Sequence, residues 1–335
     1  MRKTLSDEAP MALSQIETAL RRIGIDRYMM LLALTVALAS ILPARGMFAD
    51  MVGSATYWAV SLLFFLYGAK LATSTIIAGF ANWRLQLGCL IATFVLFPLL
   101  SLAVAPLTAA FLPAAVGLGL IYIGAMPSTV QSSIAFTSVS NGNAAGAVTA
   151  ASVSNLLGVV LAPVLLMVMI PSAAVISIEP SAFWKIAQQI LLPFILGQLC
   201  RPLLAKFLNR HKLPMMIVDR GSILLIVYSA FSAGVVNGIW HMMPLGAFIA
   251  LELVLISLLA IVMGIVIGLG RLSGMPKADL LALFYVGSTK SLATGLPMAG
   301  ILFAGQDVSL LILPLMLFHM TQLVICAIVS QRIRA

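Results

Sequence analysis

Charge is scarce in this chain. Only 9% of its 335 residues are charged, 19 Lys and Arg against 10 Asp and Glu, and there are three histidines. An ordinary soluble domain is about 25% charged. With 62% of the residues hydrophobic, no folded surface has enough polar groups for water, which excludes a soluble enzyme and a disordered regulator. Cysteine is also scarce. Cys89, Cys200 and Cys326 all sit in apolar stretches, where they read as small hydrophobes and not as disulfides or metal ligands. Neither a Gly-x-Ser-x-Gly nor a His-Glu-x-x-His pattern occurs. No cleavable signal peptide is visible, because the first 27 residues carry charge and the first long apolar run follows them. The composition predicts an all-α polytopic membrane protein.

A spanning helix needs about 20 mostly apolar residues. Ten such runs are present: Tyr28–Leu42, Met51–Ala69, Leu85–Ala105, Pro113–Val139, Ala144–Ile170, Phe183–Leu199, Ser222–Gly238, Pro244–Leu269, Leu280–Phe303 and Val308–Val329. Numbered as spans 1–10, they alternate basic-rich and basic-poor connections. All Lys and Arg but three fall on one side, which the positive-inside rule makes cytoplasmic. The exceptions are Arg45 and Lys185 opposite, and Lys290 inside span 9. Both termini are predicted cytoplasmic. The net charge of +9 therefore belongs to membrane loops and not to a nucleic-acid surface. The longest cytoplasmic connection is predicted at Arg201–Arg220. Residues 1–27 form a cytoplasmic segment in which Leu13, Ile16, Leu20 and Ile23 recur at helical spacing. That pattern fits an amphipathic helix on the bilayer or one packed on the protein's own loops.

After that segment the chain divides into two five-span sets, residues 28–171 and 181–330, followed by a tail at 331–335. An odd number of spans per set makes the halves opposite in orientation, an inverted repeat of the kind secondary transporters use. The fourth span of each half has a polar break. The first reads Gly124-Ala125-Met126-Pro127-Ser128-Thr129-Val130-Gln131-Ser132-Ser133, and the second Tyr285-Val286-Gly287-Ser288-Thr289-Lys290-Ser291. The two Ser-Thr pairs are separated by close to half the chain after residue 27. In hydrocarbon an unsatisfied backbone group costs several kcal/mol, so a broken span persists only where it is buried in protein or lines water. Pro127 removes a donor and Gly287 permits unwinding. Each break creates a half-helix N-terminus inside the bilayer that favours an anion or polar solute.

These breaks supply the candidate binding residues Ser128, Thr129, Gln131, Ser132, Ser133, Tyr285, Ser288, Thr289, Lys290 and Ser291. Ser154 and Asn155 on span 5 join them. Scattered Ser and Thr elsewhere also fit plain helix packing. Lys290 and Glu252 are the ionisable groups placed deep in the spans, at a cost of at least ~2.5–3.5 kcal/mol for a charge at the bilayer centre. Counting from the loop near Ser273, they lie at similar depth and either pair or leave Glu252 nearer the outer interface. Glu252, His319 and Gln322 are candidates for ion coupling, with an interior structural role as the alternative for His319.

The two breaks, together with Asn141-Gly-Asn143, Ser152-Val-Ser-Asn155-Leu-Leu-Gly, Leu161-Ala-Pro163 and Gly295-Leu-Pro297, resemble the bile acid:sodium symporter superfamily in its SBF-like branch. The likeness runs over all ten spans. It implies a panel domain (spans 1, 2, 6, 7) and a core domain (spans 3–5, 8–10), with spans 4 and 9 unwound and crossing. Substrate is expected between the domains near that crossover, with alternating access by elevator-like or rocking motion. The family's sodium ligands match Gln131, Ser132, Ser133 and Ser154. A further ligand position falls on Gly158, which has no side chain to offer. The acidic residue of sodium-coupled relatives falls on Tyr285, and Lys290 follows the changed stretch.

A fixed amine repels a cation, so Lys290 is expected to stand in place of a sodium ion, leaving transport sodium-independent or coupled to protons. The expected function is secondary transport of a small organic anion, bile-acid-like or another amphipathic carboxylate or sulfate, across a bacterial inner membrane. No cofactor and no resident metal are expected, and the partners are the substrate and the lipid bilayer. The competing readings are an ordinary sodium:organic anion symporter, a channel or regulator of ion traffic, and an intramembrane enzyme using Ser288 or Ser291 beside Lys290.

Overall fold

A computed structural model describes residues 27–70, 82–170, 184, 187–236, 238, 241, 243–303 and 308–334. Among these residues there is no strand. The helices are α1 (Arg27–Ile41), α2 (Gly46–Lys70), α3 (Trp83–Leu107, with a π turn at Ala92–Leu96), α4 (Ala114–Ala125), α5 (Gln131–Val139) and α6 (Ala144–Met169). They continue with α7 (Leu192–Arg210, led in by a π turn at Ala187–Leu191), α8 (Lys212–Val236), α9 (Leu245–Leu272), α10 (Lys277–Ser288), α11 (Leu292–Leu302) and α12 (Ser309–Arg334).

Helices α2, α3, α6, α8, α9 and α12 are each long and apolar enough to cross a membrane, with apolar stretches of 24 to 28 residues. At 1.5 Å per residue that is about 36–42 Å, against a hydrocarbon core of about 30 Å. Their outward faces are apolar: Val168, Leu203 and Leu272 are each more than 80% exposed. Such a surface is an error in water and the expected one against lipid chains. The chain is an integral membrane protein.

Local sequence sets the helix boundaries. Pro113, Pro244 and Pro276 immediately precede α4, α9 and α10, where a missing N–H costs nothing. The Asn143 side chain accepts from Gly146 N at 2.8 Å and caps α6. Gly274, with φ +64°, makes the tight turn between α9 and α10.

Packing separates the helices into two groups. Helices α1, α2, α7 and α8 form one. Within it α2 and α7 cross at backbone contact: a Cβ on Gly68 would lie 2.0 Å from the Phe194 carbonyl oxygen, and one on Gly197 would lie 2.0 Å from that of Phe65. Tyr228 of α8 donates to the Leu42 carbonyl at 2.7 Å. The second group holds α3–α6 and α9–α12, and α8 meets it along α11 and α12. At one end of this group Asp279 accepts hydrogen bonds from the amides of Asn82 (2.8 Å) and Asn143 (2.7 Å), while Asn143 N donates to the Ala278 carbonyl at 2.8 Å. These contacts tie α3, the α5–α6 loop and α10 together, and they explain one asparagine of the Asn141-Gly-Asn143 motif.

Two boundaries differ from the sequence expectation. Helix α7 runs on to Arg210 and α8 begins at Lys212, so Arg201–Arg220 is helical apart from His211. Hydropathy falls where Arg and Lys enter, but helix formation does not follow hydropathy. Leu204, Leu208, Met215 and Val218 continue an apolar face that packs on Phe65, Leu66 and Ala69 of α2. The fourth and ninth runs are each divided into two half-helices at the polar stretches expected to interrupt them. The amphipathic segment expected before residue 27, and Lys185, lie outside the described residues.

Candidate functional site

The first break runs from Met126 to Val130, between α4 and α5. Met126 is extended (φ −71°, ψ 148°), because the ring of a following proline pushes its neighbour out of the helical region. Gly158 of α6 lies against that proline: a Cβ there would be 2.7 Å from Pro127 Cβ. The second break, Thr289 to Ser291, lies between α10 and α11. Thr289 and Ser291 are both extended, and Ser291 Oγ caps α11 by accepting from Thr294 N at 3.2 Å.

The breaks touch. Thr129 Oγ1 and Thr289 Oγ1, 160 residues apart in sequence, are 3.0 Å apart in space. Ser128 Oγ donates to the Val286 carbonyl (2.6 Å) and lies 3.2 Å from Thr289 Oγ1. Ser291 N donates to the Pro127 carbonyl at 2.8 Å, and Tyr122 OH donates to the Gly295 carbonyl at 2.7 Å.

Each break is stitched by an amide side chain from the next long helix. Asn155 of α6 donates to the Ser128 carbonyl (2.7 Å) and accepts from Thr294 Oγ1 (2.9 Å), while Ser154 Oγ accepts from Ser128 N (3.1 Å). Gln322 of α12 accepts from Lys290 N (2.7 Å) and donates to the Lys290 carbonyl (2.8 Å). His319 Nδ1 lies 2.9 Å from Gln322 Nε2. Backbone groups of Pro127, Ser128, Lys290 and Ser291 freed by unwinding are therefore paired inside the protein, as a low-dielectric setting requires.

Lys290 is fully buried. Its Nζ donates to the carbonyls of Thr93 (2.9 Å), Gly124 (2.9 Å) and Met126 (2.7 Å) and sits 4.2 Å from the centre of the Phe97 ring. Three acceptors match the three N–H bonds of an ammonium, and the C-terminal end of α4 adds the negative pole of its dipole.

These carbonyls are available for definite reasons. Phe97 N–H is drawn to the Ala92 carbonyl in the π turn. The next residue, Pro98, has no N–H, so Thr93 O is left without a helical donor. The helical donor for Gly124 O is Ser128 N, which is turned instead to Ser154 Oγ.

Not all candidate residues converge. Gln131 is exposed and Ser132 half-buried beside the crossover, with Ser132 Oγ donating to Thr129 Oγ1 at 2.7 Å. Ser133 Oγ bonds back to the Thr129 carbonyl. Ser288 Oγ likewise bonds to the Phe284 carbonyl of its own helix (2.5 Å), and the acceptors of the lysine ammonium are the carbonyls of Thr93, Gly124 and Met126 instead. Tyr285 OH lies 2.7 Å from Ser140 Oγ at the end of α5, one helical turn before Thr289 and the crossing. Glu252 is not paired with Lys290; it accepts a hydrogen bond from Thr321. Two residues at equal depth on different helices need not face each other, and depth was all that the sequence spacing fixed. Among the described residues no three His, Cys, Asp or Glu are grouped to hold a metal.

Thr93, Phe97, Gly124 and Met126 are absent from the sequence-based candidates. Three of them act through carbonyls, which every residue has. For Thr93 the sequence signal is Pro98, five residues on, while Gly124 and Met126 lie in the first polar break itself, just ahead of Pro127.

A wholly helical membrane protein with two interrupted helices meeting at mid-chain breaks, and an ion-like group buried between them, has the architecture of a transporter. The sequence profile of the SBF-like CPA transporter family matches residues 26–335, and the chain belongs to that family. It is 44% identical over 307 residues to "Uncharacterized protein PA2026" of Pseudomonas aeruginosa, covering 92% of each chain. It is 43% identical over 309 residues to "Putative symporter YfeH" of Escherichia coli K12, again covering 92% of each. A more distant relative, "Sodium/bile acid cotransporter 7" of Danio rerio, is 30% identical over 286 residues, 83% of this chain and 84% of that one. The chain is thus a membrane transporter of the bile acid:sodium symporter family, and not an enzyme.

Proposed function

We propose that this protein is a secondary active transporter that moves a small organic anion by alternating access, with Lys290 in place of a coupling sodium ion. The supporting observation is the position of the ammonium. It lies where two broken helices cross, and it is ligated by backbone carbonyls as a bound metal cation is. A cation tethered to the chain cannot be released on the other side, so it supplies the charge without supplying a sodium gradient. The position that is acidic in sodium-coupled members is Tyr285, whose hydroxyl is directed to Ser140.

In this reading the ten helical stretches are ten spans in a 5+5 inverted repeat, with both termini cytoplasmic, in a bacterial inner membrane. Helices α1, α2, α7 and α8 are the panel and the remainder the core. Gln131, Ser132, Thr129, Asn155 and Thr289, beside the crossing, contact the substrate or a co-transported ion. The name of the Danio rerio relative directs the choice of substrate to bile-acid-like amphipathic carboxylates and sulfates. With sodium displaced, the driving ion is a proton.

Right-side-out vesicles loaded by a panel of labelled organic anions test this. The expected result is saturable uptake that survives replacement of sodium by choline and changes when the pH gradient is collapsed. Uptake that requires sodium contradicts the role given to Lys290. Flux without saturation or counterflow contradicts a carrier.

A further inference from the structure

Lys290 reaches its seat from the second break, yet every group that holds its ammonium lies in the first half of the chain: Thr93 and Phe97 on α3, Gly124 and Met126 at the end of α4. The seat is thus built without the lysine's own helices. Three carbonyls at 2.7–2.9 Å take the three N–H bonds, and an aromatic face at 4.2 Å closes the remaining side. Two further hydroxyls in the same region, Thr93 Oγ1 and Ser101 Oγ, are fully buried and have no hydrogen-bond partner among the described residues. Ser101 Oγ lies 2.7 Å from where a Cβ on Gly124 would stand.

This donor set distinguishes between cations. A hard metal ion gathers oxygen ligands around itself, and a benzene face where oxygens should be is a poor substitute. A primary ammonium needs only three directed acceptors, and its remaining surface gains from a ring quadrupole.

We propose that the first half of the chain carries a self-standing binding site for a primary ammonium, which the protein fills in cis with Lys290. Phe97 is the residue that selects an ammonium over a metal ion. The ammonium then acts as a plug that joins the second break to α3 and α4. Its charge is consumed by carbonyls, so the transported anion is not paired with Nζ. The consequence for transport rests on the reading proposed above; the binding does not.

The test uses purified full-length Lys290→Ala in neutral detergent, with chloride salts of propylammonium, tetramethylammonium, sodium and choline at equal ionic strength. Propylammonium replaces the severed end of the side chain. At about ten times its Kd it should raise the melting midpoint of the variant by about 3 °C. Sodium and tetramethylammonium should do no more than choline. Wild type, with its seat filled, should not respond, and Phe97→Leu added to Lys290→Ala should at least halve the shift.

If Lys290→Ala is recovered only unfolded, solubilisation with each salt gives the same comparison as folded yield. Sodium stabilising the variant as much as propylammonium overturns the proposal. So does an equal response in wild type, or no response to propylammonium. Failure of wild type to transport any anion contradicts the transport reading and leaves the melting result standing.

Discussion

Lys290→Met keeps most of the side-chain volume and removes only the ammonium, so its cost measures the seat itself. Replacing a buried ion pair by apolar groups is often neutral, because both charges are removed together. Here the acceptors cannot be removed with the donor, since they are the main-chain carbonyls of Thr93, Gly124 and Met126. Hydrogen bonds to a charged group contribute about 1.5–3 kcal/mol each, net of desolvation. The low end for three bonds gives about 4.5 kcal/mol, before any loss of the Phe97 contact. At about 2 °C per kcal/mol for a chain of this size, the melting midpoint should fall by about 9 °C. Intrinsic fluorescence of the four tryptophans during heating in detergent reads it directly. A midpoint within about 2 °C of wild type would refute the reasoning, because the ammonium would then contribute no more than the methylenes that carry it.

Three further outcomes follow from the same geometry. Pro98→Ala ordinarily favours a helix, but here it restores an N–H that competes for Thr93 O, so the midpoint should drop by the equivalent of about 1–2 kcal/mol and not rise. Gly158→Ala places a methyl 2.7 Å from Pro127 Cβ and should cost about 1–3 kcal/mol of stability through overpacking, seen as a lower midpoint and reduced uptake. Gln131→Ala alters an exposed side chain next to the crossing; uptake of the organic anion should weaken while the midpoint stays within about 1 °C, a split that vesicle transport and melting measure together.

Much of the architecture was legible because lipid imposes a simple rule: apolar runs of sufficient length become helices, and polar interruptions inside them stand out. Pro127 marked the first break for that reason, and the basic residues marked the connections; Gly287, expected to unwind the second, stays helical in α10, where a Cβ would stand 3.0 Å from that of Ala92, and the break follows it at Thr289–Ser291. Other features have no such signature. The extension of α7 and α8 through Arg201–Arg220 depends on a helical apolar face that hydropathy averaging hides beneath its charges. Glu252 and Lys290 share a depth but not an azimuth, and sequence spacing along two helices gives only the first. The seat of Lys290 is made largely of carbonyls, which have no letter in the sequence. The Thr93 acceptor has a trace there, in Pro98, which lacks the N–H that Thr93 O would otherwise have used.

The central claim is that a tethered ammonium does the work of an ion at the crossing of two broken helices. Vesicle uptake of a labelled bile acid or other amphipathic anion, measured side by side in sodium and in choline, tests it most directly. Equal initial rates in the two salts, lost in Lys290→Ala, are the predicted result. Uptake that collapses when sodium is withdrawn would contradict it.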